Sequence, residues 1–192
     1  MFEVELKFPV ADWEALRRQL EQLGAVWTPP ERQRDQYFAH PCRDFAQTNE
    51  ALRLRTSGDN HILTYKGPVI DRLTKTRREL ETELVSTPVA ANVMTETLIA
   101  LGFQPVRIVE KHRRSATIRW QDRDITCAWD EVSPLGMFVE FEIVTDDAGR
   151  AASADAVLSL AASLKLGEPE RRSYLKLLMI HDQLESPTGS LE

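Results

Sequence analysis

Lys7, Arg53, Arg55, Lys66, Lys111 and Arg113 stand at alternating positions of strand-like stretches, and so do Glu3, Glu5, Glu79, Glu81, Asp130, Glu140 and Glu142. In a strand, residues two apart share a face, so each stretch gathers its charges on one side. Lysine and arginine grip phosphate oxygens through charge-assisted hydrogen bonds. Carboxylates bind Mg²⁺ or Mn²⁺, which in turn bridges phosphate oxygens. The mixture therefore suits a nucleoside or inorganic polyphosphate together with a divalent metal. In a dry core each unpaired ion would cost several kcal/mol, so the shared face is either open to water or holds a charged ligand. For one stretch alone the plainer explanation is favoured. Arg77, Glu79, Glu81 and Glu83 at period two also suit an exposed edge strand that discourages aggregation.

The elements that must position these groups follow in order. Phe2, Val4, Leu6 and Phe8 give the first strand an apolar face, and Pro9 ends it. Asp12 is the expected cap of a helix whose apolar face is Trp13, Leu16, Leu20 and Leu23, with Gly24 as its stop. A polar segment after Pro29 and Pro30 leads to Tyr37 and Phe38, which either stack on a nucleobase or, the favoured reading, pack in a strand. Leu52–Arg55 and Ile62–Lys66 flank a hairpin signal at Ser57, Gly58, Asp59 and Asn60. A second helix follows Pro88, with Val93, Met94, Leu98 and Leu101 as its face and Gly102 as its end. Strands are then expected over 106–120, 125–132 and 138–143. A helix capped by Ser153 and a last helical segment near Arg172–Leu178 complete the pattern.

Composition narrows the function. A chain of 192 residues that is 42% hydrophobic can bury a core. Its formal net charge of −6 argues against a general nucleic-acid binder, which needs a basic surface. Cys42 and Cys127 have neither metal-ligand nor redox spacing and suit a reducing cytoplasm. His40, His61, His112 and His181 likewise lack metal-ligand spacing. There is no apolar run of membrane length and no signal peptide pattern, so the expected location is cytoplasmic. One domain over 1–182 is expected, with a flexible polar tail over 183–192.

Glu3-Val4-Glu5-Leu6-Lys7 resembles the ExExK signature that opens the CYTH superfamily, the triphosphate tunnel metalloenzymes. Further matches follow in family order: Leu52–Arg55, Lys66, Arg77–Glu81, Glu110–Arg113, Asp130, Gly136–Glu142 and Arg172–Tyr174. The resemblance implies an α+β fold, an antiparallel eight-stranded β-barrel or tunnel with helices packed outside. It also implies that Lys7, Arg53, Arg55, Lys66, Lys111, Arg113 and Arg172 bind the triphosphate. Glu3, Glu5, Glu140 and Glu142 would hold Mg²⁺ or Mn²⁺, with Asp130 a ligand or a water positioner. Asp130, Glu140 and Lys111 are the implied catalytic residues, and Glu79 and Glu81 would orient cations or bind metal.

Within the superfamily, Glu3–Phe8, Tyr65–Pro68, Ile108–Lys111 and Glu170–Leu178 resemble the compact bacterial class IV adenylyl cyclases most. The implied reaction converts ATP to cyclic AMP and pyrophosphate by direct attack of the ribose 3′-oxygen, since no His or Cys is spaced to act as a nucleophile. The alternative is a triphosphatase acting on inorganic triphosphate, thiamine triphosphate or a nucleotide. A non-catalytic polyphosphate-binding module stands behind both, because plain anion binding has no need of the carboxylates. The resemblance also suggests a homodimer, with neither nucleic acid nor membrane as partner.

Overall fold

The computed structural model describes residues 1–71 and 74–185. The alternation at the N-terminus produces β1 (Phe2–Pro9), and Asp12 then caps α1 (Trp13–Gln22) by accepting from the Ala15 N–H at 3.0 Å. Next come β2 (Glu31–Ala39), the single turn α2 (Phe45–Thr48), β3 (Ala51–Ser57), β4 (Asn60–Lys66) and β5 (Arg77–Glu83). After α3 (Pro88–Ala100) the chain forms β6 (Gln104–Trp120), β7 (Arg123–Val132) and β8 (Gly136–Thr145), then α4 (Arg150–Ser163) and α5 (Tyr174–Glu185). All strand pairs are antiparallel, and the sheet closes as the barrel β1-β5-β4-β3-β2-β6-β7-β8. The expected fold is what the structure contains.

The closure is uneven. β1 is matched to β8 along its whole length, from Phe2 opposite Thr145 to Pro9 opposite Phe138. On its other side it meets β5 only at Phe2–Arg78 and Glu3–Arg77.

The hydrophobic core lies outside the barrel. Val4, Leu6 and Phe8 of β1, with Val139, Phe141 and Ile143 of β8, pack under Trp13, Leu16 and Leu20 of α1 and Val157, Leu160 and Ala161 of α4. Trp13 stacks on Trp129 of β7 with centroids 4.2 Å apart. A second cluster sets Leu98 of α3 on Phe38, Leu52 and Leu54. Each fully buried Val, Leu or Phe is worth about 1.5–3 kcal/mol. That jacket can carry a lumen lined with ions, provided the ions are paired.

Four local expectations change. The segment before Tyr37 is strand β2, polar on both faces. Ser153 does not cap α4, which starts from Gly149 without a side-chain cap; Ser153 is buried within the helix, and its hydroxyl accepts from Arg123 at 3.4 Å. The last helix begins at Tyr174 rather than near Arg172. It also runs on to Glu185, past the expected boundary at 182, with the Leu177 and Leu178 side of α5 docked on the barrel. The rest of the expected tail, 186–192, lies outside the described residues. Among the described residues no helix is long and apolar enough to cross a membrane.

Candidate active site

The opposite face of the same strands encloses a cavity of about 1210 Å³. Glu3, Glu5 and Lys7 line it from β1, Arg53 and Arg55 from β3, Lys66 from β4, Arg77, Glu79 and Glu81 from β5, Lys111 and Arg113 from β6, and Glu140 and Glu142 from β8. The period-two reading therefore turns most of the expected charges toward one axis, including Arg77, Glu79 and Glu81 of the β5 set that alone suited an edge, while Glu83 is exposed and lies outside the cavity lining. Lys7 and Lys111 are 2% and 4% exposed and Asp130 is fully buried, so these are interior ions rather than surface decoration.

One group centres on Asp130. Its Oδ1 accepts from Arg113 Nε at 2.6 Å, and its Oδ2 accepts from Arg113 Nη2 at 2.5 Å, Lys111 Nζ at 2.9 Å and the Tyr174 hydroxyl at 2.9 Å. A carboxylate offers about two lone-pair sites on each oxygen; Oδ2 takes three of these four bonds and Oδ1 takes one. In this arrangement Asp130 holds Lys111 and Arg113 in place. Arg113 also donates to Glu140, the residue opposite Lys7 in the β1–β8 register. Burial works against ionising Asp130 and Glu140, but Arg113 and Lys111 beside them hold both carboxyls below their usual range. Burial and the neighbouring Arg113 push the Lys111 ammonium down to about 8, and burial with Lys75 does the same to Lys7.

α5 finishes this side. Tyr174 packs edge-on to Phe138 with Val109, Val132 and Leu178 around it. Its ring lies 4.0 Å from Lys7 Nζ and 5.1 Å from Lys111 Nζ, within cation–π range. Lys7 Nζ donates to the Arg172 carbonyl at 2.5 Å. The Arg172 guanidinium itself is half exposed at the rim and pairs with Glu170.

The second group is acidic. Glu5 faces Glu142 across the β1–β8 register, and Glu3 follows on the same face of β1. Glu3 is bound to Lys66 at 2.6 Å, and Glu5 to Lys75 at 3.1 Å, whereas the Glu142 carboxylate makes no hydrogen bond or ion pair with any described residue. Burial, then repulsion from Glu3 and Glu5, pushes Glu142 up to about 7. Burial also raises Glu79, with Glu3 adding to it; Glu3 stays low despite its own burial because Lys66 is beside it. Among the described residues no three His, Cys, Asp or Glu side chains are gathered tightly enough to hold a metal by themselves. Mg²⁺ normally takes only one or two carboxylates and completes its shell with water and phosphate oxygens. An unpaired, half-buried Glu142 beside Glu5 meets that requirement.

Asp35 and Lys75 escaped the sequence reading, and Arg77 and Tyr174 were named there without a role in the site. Asp35 of β2 is 1% exposed and holds both Arg53 and Arg55. Lys75 and Arg77 reach Glu5 and Glu3, and Tyr174 caps Asp130. The period-two run Gln33, Asp35, Tyr37 was the available signal for Asp35. Of the two aromatics left open, Tyr37 lines the cavity and Phe38 belongs to the core under α3. Farther out, His40, Arg43 and Phe45 border the same cavity, with Arg43 5.3 Å from the Phe45 ring.

The sequence pattern of the CYTH domain matches residues 1–174. A protein of Methanocaldococcus jannaschii that carries a provisional name as an adenylate cyclase is 33% identical over 92% of this chain and 98% of its own. A solved structure from Pyrococcus horikoshii is 34% identical, with a TM-score of 0.79 over 93% of this chain and 99% of its own. A Hippeastrum protein, described as an adenylyl cyclase candidate with a dominant triphosphatase activity, shares the fold at 14% identity. Its TM-score is 0.58 over 94% of this chain and 95% of its own.

Proposed function

Because the chain belongs to the CYTH domain family, whose members typically act on triphosphates and generally use divalent metal ions, we propose that it is an adenylate cyclase. It would convert ATP to cyclic AMP and pyrophosphate. The observation that carries this reading is the extent of the cavity. At about 1210 Å³ it is as large as pockets that enclose a whole organic ligand, about 300–1,000 Å³. Its ionic centre continues into a border of His40, Arg43 and Phe45, where a base and ribose have room and an aromatic surface.

In this reading Lys7, Arg53, Arg55, Lys66, Lys111 and Arg113 bind the phosphate chain. By drawing negative charge toward the β- and γ-phosphoryl oxygens, they stabilise pyrophosphate as it leaves. Asp130 keeps Lys111 and Arg113 aimed, and Glu140 limits how far Arg113 can swing. Glu142 and Glu5, with Glu3 beside them, would hold the divalent metal, which when bound neutralises phosphate charge and makes the α-phosphorus more electrophilic. The ribose 3′-oxygen would bond to the α-phosphorus as the bond to pyrophosphate breaks, its hydroxyl proton passing to water, in a single displacement with no covalent enzyme adduct.

Hydrolysis is the second reading. The same cations would hold the same phosphates, with water attacking the terminal phosphorus, and the triphosphatase named for the Hippeastrum protein makes it the competitor to exclude. Product analysis with ATP and Mg²⁺ or Mn²⁺ decides. Cyclic AMP and pyrophosphate in equal amounts are expected; orthophosphate without cyclic AMP would replace the cyclase with a triphosphatase.

A further inference from the structure

Resting on the reading that the lumen arginines bind phosphate, we infer that Asp35 is a positioning residue which fixes the Arg55 guanidinium so that its free edge faces the phosphate chain. Asp35 stands opposite Arg55 in the β2–β3 register and opposite Val109 in the β2–β6 register. Its Oδ1 accepts from Arg55 Nε at 2.7 Å and its Oδ2 from Arg55 Nη2 at 2.8 Å. Both bonds lie on one edge of the planar guanidinium. The Nη1 hydrogens and the second Nη2 hydrogen remain, and they form a second fork directed away from Asp35. Arg53 is steered less strictly: its Nη1 lies 3.5 Å from Asp35 Oδ2, while its Nη2 donates to Thr64 at 3.2 Å and stands 3.6 Å from Glu81.

Charge alone would argue against this residue. A buried carboxylate beside two arginines repels an incoming polyphosphate and offsets part of the attraction those arginines supply. Its presence helps the site only if fixing the fork gains more than the repulsion loses. The two effects predict opposite signs for one substitution. Asp35→Asn removes the negative charge, which by Coulomb's law strengthens anion binding. It also turns an amide N–H₂ toward an arginine N–H, so the two-bond grip fails and Arg55 is free to rotate.

The test is calorimetric titration of inorganic triphosphate into the full chain, without metal and at fixed ionic strength. Thermal unfolding of each variant shows that it is folded. Asp35→Asn should bind about tenfold more weakly than wild type despite its extra net positive charge. Unchanged or tighter binding by Asp35→Asn overturns the inference. Asp35→Glu keeps the charge but moves the carboxylate by one methylene, and it should also bind more weakly; wild-type affinity there would show that charge, not placement, is what matters. Orientation through Arg55 further requires that Asp35→Asn cause no additional loss in an Arg55→Met background. If the wild type itself fails to bind triphosphate, the phosphate reading of the lumen falls first and takes this inference with it.

Discussion

The two ionic groups in the lumen differ in how completely they are satisfied. Around Asp130 the protein supplies a counter-ion or donor for every carboxylate oxygen, and α5 seals the arrangement with Tyr174. Around Glu142 it does not: one acid is left unpaired next to two others, and its proton affinity rises to about 7. The first group is a finished scaffold of oriented cations, ready for an anion. The second carries surplus negative charge, which a cation from solution can answer. In the proposed function, placing both in one barrel would separate the work of holding phosphate from the work of holding metal.

The largest effect should come from breaking the finished group. Arg113→Ala leaves Asp130 and Glu140 short of their shared cation. Removing one member of a buried ion pair costs about 3–5 kcal/mol, so a lower unfolding midpoint is expected along with loss of triphosphate binding. A variant with wild-type affinity would remove Arg113 from the phosphate site. Glu142→Gln is expected to act in the contrary direction on stability. Because burial and like charge raise the Glu142 pKa from 4.5 to about 7, the folded state binds more protons than the unfolded state between those values. Stability therefore falls as pH climbs through that window and stays reduced above it. Without metal, the glutamine variant should lose this slope and unfold at a higher temperature than wild type at pH 8, while metal-dependent turnover drops sharply. An unaltered pH–stability curve would mean that Glu142 carries no such penalty. Tyr174→Phe should have the mildest consequence. It deletes one of four hydrogen bonds to Asp130 but keeps the ring over Lys7, so a loss of about 1.5–3 kcal/mol in stability is expected, with triphosphate affinity changing by less than for Arg113→Ala.

How much of this could be read from sequence depended on whether a strand has a dry side. β1 and β3 place Val4, Leu6, Leu52 and Leu54 against helices, so their charged faces stood out against an apolar background. β2 has no such background. Arg32 and Arg34 on its outer side face solvent and reach Glu110 of β6. With polar residues on both faces it read only as a polar segment, and Asp35 was lost with it. β5 misled in the opposite sense. Its alternating charges matched an edge strand, and only closure between β1 and β4 turns Arg77 and Glu79 inward. Asp130 was legible as a charged position, but not as an acid that accepts four hydrogen bonds. That depends on Tyr174, which lies forty-four positions later in the chain.

The short β1–β5 contact also determines how the cylinder can be unfastened. At the last rung of that short ladder, the Glu3 side chain adds a buckle, reaching Lys66 on β4 and Arg77 on β5 from its place on β1. A clasp this deeply shielded is little weakened by added electrolyte. Acid reaches it by another route, because a protonated Glu3 no longer attracts either cation. The wall should therefore part along this line in strong acid while withstanding brine.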